Sequence, residues 1–150
     1  MFHIQNQIHK IAQSSVSVLP VDAHKAVALS HHKVLLLDNQ PSYREQLDDL
    51  FRSYGYKTLV GEDAEWGIHV NQKEKPAFVM LDVSMPKIDS LLILKKILLS
   101  NPSVKVFMTA THQDRNLAEE AIQQGAKGYL LKPVDPVYLK FVIFQQMKTP

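Results

Sequence analysis

The chain has no cysteine, which excludes a disulfide framework, a thiolate metal site and a cysteine nucleophile, and agrees with a reducing cytosol. It has no apolar run approaching the roughly 20 residues of a membrane span. Its N-terminus lacks a basic stretch followed by an apolar one, so a secretory leader is not expected. Nor does it have a basic patch. Lys and Arg are scattered, densest in pairs such as Lys73/Lys75 and Lys95/Lys96, and the net charge is only +2. Direct nucleic-acid binding and attachment to an acidic membrane are therefore not expected. Internal repeats and low-complexity tracts are also missing. A soluble, cytoplasmic protein is the expectation.

What is present is enough apolar residue, 45% of 150, to bury one core, and the length favours a single α/β domain. From Lys33 onward, short apolar runs alternate with amphipathic segments, the pattern of βα units closing a parallel sheet covered on both faces. Strands are predicted over Val34 to Leu37, Thr58 to Val60, Ala77 to Leu81, Val104 to Met108 and Tyr129 to Leu131. Helices are predicted near 42–54, 63–72, 90–100, 114–124 and 136–147. Gly55, Gly125 and the pair Asn101-Pro102 supply stops. In such sheets the site lies beyond the carboxyl ends of the strands. Asp38 and Asn39 follow the first strand, Asp82 the third, Thr109 the fourth and Lys132 the fifth. Two carboxylates, an amide, a hydroxyl and an ammonium are thus expected on one rim.

The segments LLLDNQPSYR, FVMLDVSMPKIDS, VFMTA and GAKGYLLKP resemble, in order and spacing, the landmarks of the response-regulator receiver family of two-component signalling. The resemblance runs from about Lys33 to Met147. It implies a flavodoxin-like, doubly wound five-stranded parallel sheet of order 2-1-3-4-5 with five helices. It also implies that Asp82 accepts a phosphoryl group from a sensor histidine kinase or phosphotransfer protein. A carboxylate attacks another anion poorly unless charge is neutralised at the site. Mg²⁺ is the implied cofactor, held by Asp38, Asn39, Asp82 and the backbone carbonyl of Ser84. Lys132 and Thr109 are implied to contact the phosphoryl oxygens, and a cis bond is implied at Lys132-Pro133. Thr109 and Tyr129 are the implied switch pair; the alternative for Tyr129, an ordinary edge-strand aromatic, has equal standing.

Two departures stand out. Receivers usually carry two or three consecutive acids after the first strand, and here the run is Asp38, Asn39, Gln40. Asn39 occupies a position of direct metal contact without its negative charge, so a weakened Mg²⁺ site is expected. Ser90 follows Asp89 where the family usually has glycine; a left-handed backbone there would strain serine.

On the last predicted helix, Leu139, Val142 and Ile143 form one apolar face, while Val137, Phe141 and Phe144 recur at i, i+4 and i+7 on the other. The second face is a candidate interface for a homodimer, for a downstream target, or for the N-terminal extension. That extension, residues 1–32, precedes a receiver domain assigned to 33–148. A short helix over 2–13, carrying Ile4, Ile8 and Ile11, and a linker after it are expected. Five of the seven histidines lie there, His3, His9, His24, His31 and His32, without metal-ligand spacing and outside any phosphotransfer motif.

The expected function is a receiver that takes phosphate on Asp82 and signals through protein contacts, with no output domain in this chain. It is not a turnover enzyme on a separate substrate. The alternative is a phosphorylation-independent docking or dimerisation module. A haloacid-dehalogenase-type phosphatase is set aside because Ser84 stands where that family needs a second acid.

Overall fold

The computed structural model describes residues 32–147; the expected helix over 2–13 and its linker lie outside them. Five strands, β1 (Lys33–Leu37), β2 (Lys57–Gly61), β3 (Phe78–Asp82), β4 (Lys105–Ala110) and β5 (Gly128–Leu131), form one parallel sheet. Five α-helices alternate with them: α1 (Pro41–Ser53), α2 (Ala64–Glu74), α3 (Ser90–Ser100), α4 (Arg115–Gln123) and α5 (Pro136–Met147). The strand order is 2-1-3-4-5, the flavodoxin-like arrangement. Among the described residues, no helix is long and apolar enough to cross a membrane.

Because successive residues of a strand point to opposite faces, each buried strand feeds two cores. Leu35, Leu37, Val79, Leu81, Val106 and Met108 join a cluster with α2, α3 and α4 residues such as Val70, Ile93, Leu94 and Ala118. Val34, Leu36, Phe78, Met80, Phe107 and Leu130 join the other, with Leu47 and Phe51 of α1 and Leu139 and Ile143 of α5. Gly67 lets α2 close on the sheet: a Cβ there would stand 2.5 Å from the Leu37 methyls.

Local chemistry sets the helix ends. Pro41 opens α1, where its missing N–H costs nothing. Asp63 caps α2 by accepting from Trp66 N at 2.9 Å, and Asp89 caps α3 by accepting from Leu91 N at 2.8 Å. Lys75, in the left-handed region at φ 48°, and Pro76 close α2.

Two boundary expectations need correction, and the condition raised for Ser90 is not met. Strand β3 ends on Asp82 rather than before it, and β4 continues through Thr109 to Ala110. Pairing on both edges of these central strands extends the ladder past the last apolar residue. The helix expected from 114 starts as a 3₁₀ turn over His112–Asp114 before α4 begins. Ser90 is the buried first residue of α3 and is not left-handed; the left-handed residue of that loop is Lys87, at φ 73°.

Candidate functional site

The site sits where the alternation on the α1/α5 face turns from apolar to polar. Val34 and Leu36 lead to Asp38, Phe78 and Met80 to Asp82, Phe107 to Thr109, and Leu130 to Lys132. The ladder continues through these residues. Asp38 N donates to Gly61 O at 3.2 Å, Lys132 N donates to Ala110 O at 2.8 Å, and Asp82 is in register with Thr109. All four polar side chains are buried, although each stands at or near the carboxyl end of a strand of hydrophobic residues.

Lys132 Nζ lies 2.8 Å from Asp38 Oδ2 and 3.2 Å from Asp82 Oδ2. One ammonium therefore faces two carboxylates, and its desolvation is offset by both. The remaining oxygens are held by backbone and hydroxyl donors. Gln40 N donates to Asp38 Oδ1 at 2.8 Å, while Ser84 N and Ser84 Oγ donate to Asp82 Oδ1 at 3.0 and 2.9 Å. Asp38 Oδ2, Asp82 Oδ2 and Thr109 Oγ1 are buried without a hydrogen bond of good geometry, the two carboxylate oxygens having only the ion-pair contacts to Lys132. Burial raises the Asp38 carboxyl above the ordinary carboxylate range; bonds from Lys132 and Gln40 oppose the shift, and the Asp82 charge adds to it.

Around this core, Arg44 Nη1 donates to the Asp38 carbonyl at 2.7 Å and lies 3.6 Å from Glu62. The ring of Tyr43 covers Lys132 Nζ, with 4.6 Å to the centroid. Gln46 Nε2 donates to Val134 O at 3.2 Å, tying α1 to the loop after Lys132. The Lys132-Pro133 bond is cis. Sequence reading singled out none of Tyr43, Arg44 and Gln46. Tyr43 had a visible signal, since it starts the i, i+4, i+8 stripe completed by Leu47 and Phe51.

Of the expected metal donors, Asp38 and Asp82 converge, Ser84 is exposed beside Asp82, and Asn39 is exposed on the rim. Carboxylate, amide and carbonyl oxygens are the hard donors that Mg²⁺ takes, and two buried carboxylate oxygens lack a hydrogen bond, so the donor set fits that ion. Tyr129, on edge strand β5, points away from Thr109. Its hydroxyl accepts from Arg115 Nε at 3.2 Å and donates to Glu119 Oε1 at 3.4 Å. Val137, Phe141 and Phe144 on α5 are half-buried. Among the described residues, the large apolar side chains that lie open are Trp66, Leu92, Leu99, Ile122 and, at the end of α5, Met147, and the most exposed of them, Leu99, is on α3.

The model of the response regulator receiver domain matches residues 34–143. Among curated proteins, the chain is 26% identical to sporulation initiation phosphotransferase F of Bacillus subtilis, over 71% of this chain and 86% of that protein. It is 30% identical to the chemotaxis protein CheY of Listeria monocytogenes, over 67% of this chain and 86% of that one. It is also 27% identical to the transcriptional regulatory protein DegU of Brevibacillus brevis, of which it spans only 44%. Among solved structures, the receiver domain of NtrX from Brucella abortus superposes with a TM-score of 0.74 at 24% identity, over 78% of this chain and 99% of that one. A CheY-like receiver protein from Methanospirillum hungatei gives 0.68 at 20% identity, over 78% and 94%; both likenesses speak to the fold. With that match across all five strands and a buried Asp-Asp-Lys cluster at the carboxyl rim, the chain belongs to the response regulator receiver domain family of two-component signalling.

Proposed function

We propose that Asp82 accepts a phosphoryl group from a histidine kinase or phosphotransfer protein, and that the modified rim is read by a protein partner. The observation that carries this reading is the position of Asp82: buried at the end of β3, with Oδ2 facing Lys132 at 3.2 Å and in register with a Thr109 hydroxyl that has no hydrogen bond. A buried ammonium 3.2 Å from one carboxylate oxygen, and a buried, unbonded hydroxyl on the residue paired in register with it, are donors suited to the charge that phosphorylation adds. The named relative from Bacillus subtilis is a phosphotransferase, which supports the same chemistry.

Receiver domains usually bind Mg²⁺ and are typically not turnover enzymes. Here Asp38, Asp82, the Asn39 amide and the Ser84 carbonyl would hold the ion, which when bound neutralises phosphoryl charge. Within the chain, Lys132 balances the two acids before transfer and contacts a phosphoryl oxygen after it. Thr109 contributes its hydroxyl once there is an acceptor within reach. One neutral bond of about 1 kcal/mol and one charged bond of about 2 kcal/mol bias the domain by roughly 3 kcal/mol. That is about a hundredfold, short of the roughly 10⁴-fold needed for full reversal. A partner that prefers the phosphorylated form supplies the remainder. Tyr129 is proposed as the moving aromatic, which would exchange its bonds to Arg115 and Glu119 for an inward position. Val137, Phe141 and Phe144 are proposed as the α5 face that meets a second copy or a downstream target. Residues 33–148 are proposed as the receiver unit, with 1–32 as an extension.

The test is to incubate the protein with Mg²⁺ and a small-molecule phosphodonor and weigh it intact. A phosphate adduct that disappears in Asp82→Asn is expected; no adduct, or one that persists in that variant, overturns the reading. A second reading, a docking module that never takes phosphate, is favoured by one observation: the rim residue after Asp38 is the uncharged Asn39 rather than an acid. An absent adduct together with retained partner binding would select it.

A further inference from the structure

Lys132 is 6% exposed, and carboxylates stand on only part of its ammonium, at 2.8 and 3.2 Å. Elsewhere the ammonium meets the ring of Tyr43, 4.6 Å from the centroid. A ring face attracts a cation through its quadrupole, and does so most strongly where water is excluded. Tyr43 reaches this place by backbone necessity. It is the third residue of α1, one turn before Leu47 and two before Phe51, which are buried against the same face of the sheet. Tyr43 itself is half-buried, with its ring on the Lys132 ammonium.

We infer that Tyr43 is a positioning residue for Lys132. Its ring holds the ammonium between Asp38 and Asp82 and forms the barrier between that ammonium and bulk water. The inference deepens the proposed phosphoacceptor role and rests on it for one consequence only, the lifetime of the acyl phosphate. In the loss of that group, water attacks phosphorus and the bond between phosphorus and the Asp82 oxygen breaks. The carboxylate is regenerated, and inorganic phosphate leaves with both hydrogens of the water. A ring over Lys132 limits the approach of that water and keeps the lysine on the phosphoryl oxygen. The other consequence, shelter of the Lys132 amine, belongs to the unmodified protein and does not depend on phosphorylation.

The experiment compares Tyr43→Phe, Tyr43→Leu and Tyr43→Ala in the full chain. The first readout is the rate at which an amine-reactive acetylating ester labels Lys132 at one fixed pH, followed by peptide mass spectrometry and normalised to the exposed Lys95. Tyr43→Ala and Tyr43→Leu are expected to speed labelling about tenfold, the scale of a desolvated cation–π contact, and Tyr43→Phe to stay within about twofold of the parent. Labelling of Tyr43→Leu at the parent rate would mean that bulk alone covers the lysine, and would overturn the role of the ring. Labelling of Tyr43→Phe at the alanine rate would overturn it as well. The second readout is the decay of the adduct formed with the small-molecule phosphodonor, expected about tenfold faster in the leucine variant and unchanged in the phenylalanine variant. Equal lifetimes would remove the kinetic half of the inference. A parent protein that takes no phosphate would remove the phosphoacceptor reading, while the labelling result would still decide the role of Tyr43. If Tyr43→Ala loses its circular-dichroism signal, the leucine and phenylalanine pair carries the comparison.

Discussion

Both ends of the sheet bury polar side chains, but they treat them differently. At the amino end, Asn71 Nδ2 donates to Ile97 O at 3.1 Å and to Ser100 Oγ at 3.0 Å. Asn101 Nδ2 donates to Asn71 Oδ1 at 3.2 Å and to Pro76 O at 3.1 Å. Each buried amide is used, and the network ties α2 to α3 and to the approach to β3. At the carboxyl end, Asp38 Oδ2, Asp82 Oδ2 and Thr109 Oγ1 are buried without hydrogen bonds, and two acids share one lysine. A buried polar group that is fully bonded adds stability and orientation; one that is not costs stability. The first end is built to stay as it is, and the second leaves bonding capacity for a group that arrives later. Strain of that kind collects at functional sites.

The comparison can be broken in four places. The largest effect is expected from Asp82→Asn, which should abolish the phosphate adduct seen by intact mass and, by relieving the repulsion between two buried acids, raise the thermal midpoint. A lowered midpoint would mean that Asp82 contributes to folding as the amino-end amides do. Next, Asn101→Ala should cost about 3 kcal/mol in urea denaturation, since it leaves Asn71 Oδ1 and Pro76 O unpaired in the interior. The same variant should take phosphate at the parent rate, because it is at the far end of the sheet. A third and smaller effect concerns metal: Asn39→Asp should tighten Mg²⁺ binding about tenfold, or about 1.4 kcal/mol, for one added charge at an exposed position. Calorimetric titration measures it, and an unchanged affinity would place Asn39 outside the metal's reach.

The smallest effect is a slope with pH. The Asp38 carboxyl is raised by burial, so between the ordinary carboxylate range and the raised value the folded chain keeps a proton that the unfolded chain has released. Stability from this group is therefore greatest below the ordinary carboxylate range and falls as pH rises through the elevated value. Asp38→Asn should remove that fall. Denaturation midpoints for the two proteins should converge in acid and separate toward neutrality, with the variant more stable. Curves that stay parallel would show that Lys132 cancels the burial.

The element order was legible because buried parallel strands read as apolar runs separated by amphipathic helices, a pattern held in local sequence. Asp38, Asp82, Thr109 and Lys132 were legible as rim residues for the same reason, each standing at the end of such a run. The strand ends were less so, since Asp82 and Thr109 take part in ladders whose partners are distant in sequence. Whether Ser90 needs a left-handed backbone could not be read locally; the left-handed residue of that loop lies earlier, at Lys87. Asn71 gave no signal and Asn101 only that of a helix stop, as nothing local tells a bonded buried amide from a solvated one.

By itself the sequence determined the alternation of strands and helices, the family, and which polar residues meet at one rim, because these depend on periodicity and on the type of residue that ends each strand. Only the tertiary structure decided that one ammonium serves two carboxylates, that Tyr43 covers it, that Tyr129 faces Arg115 and Glu119, and that the amino-end amides are satisfied while the carboxyl-end oxygens are not. Those are distances between residues far apart in the chain, and they follow from how α1 and α4 pack on the sheet rather than from any local pattern.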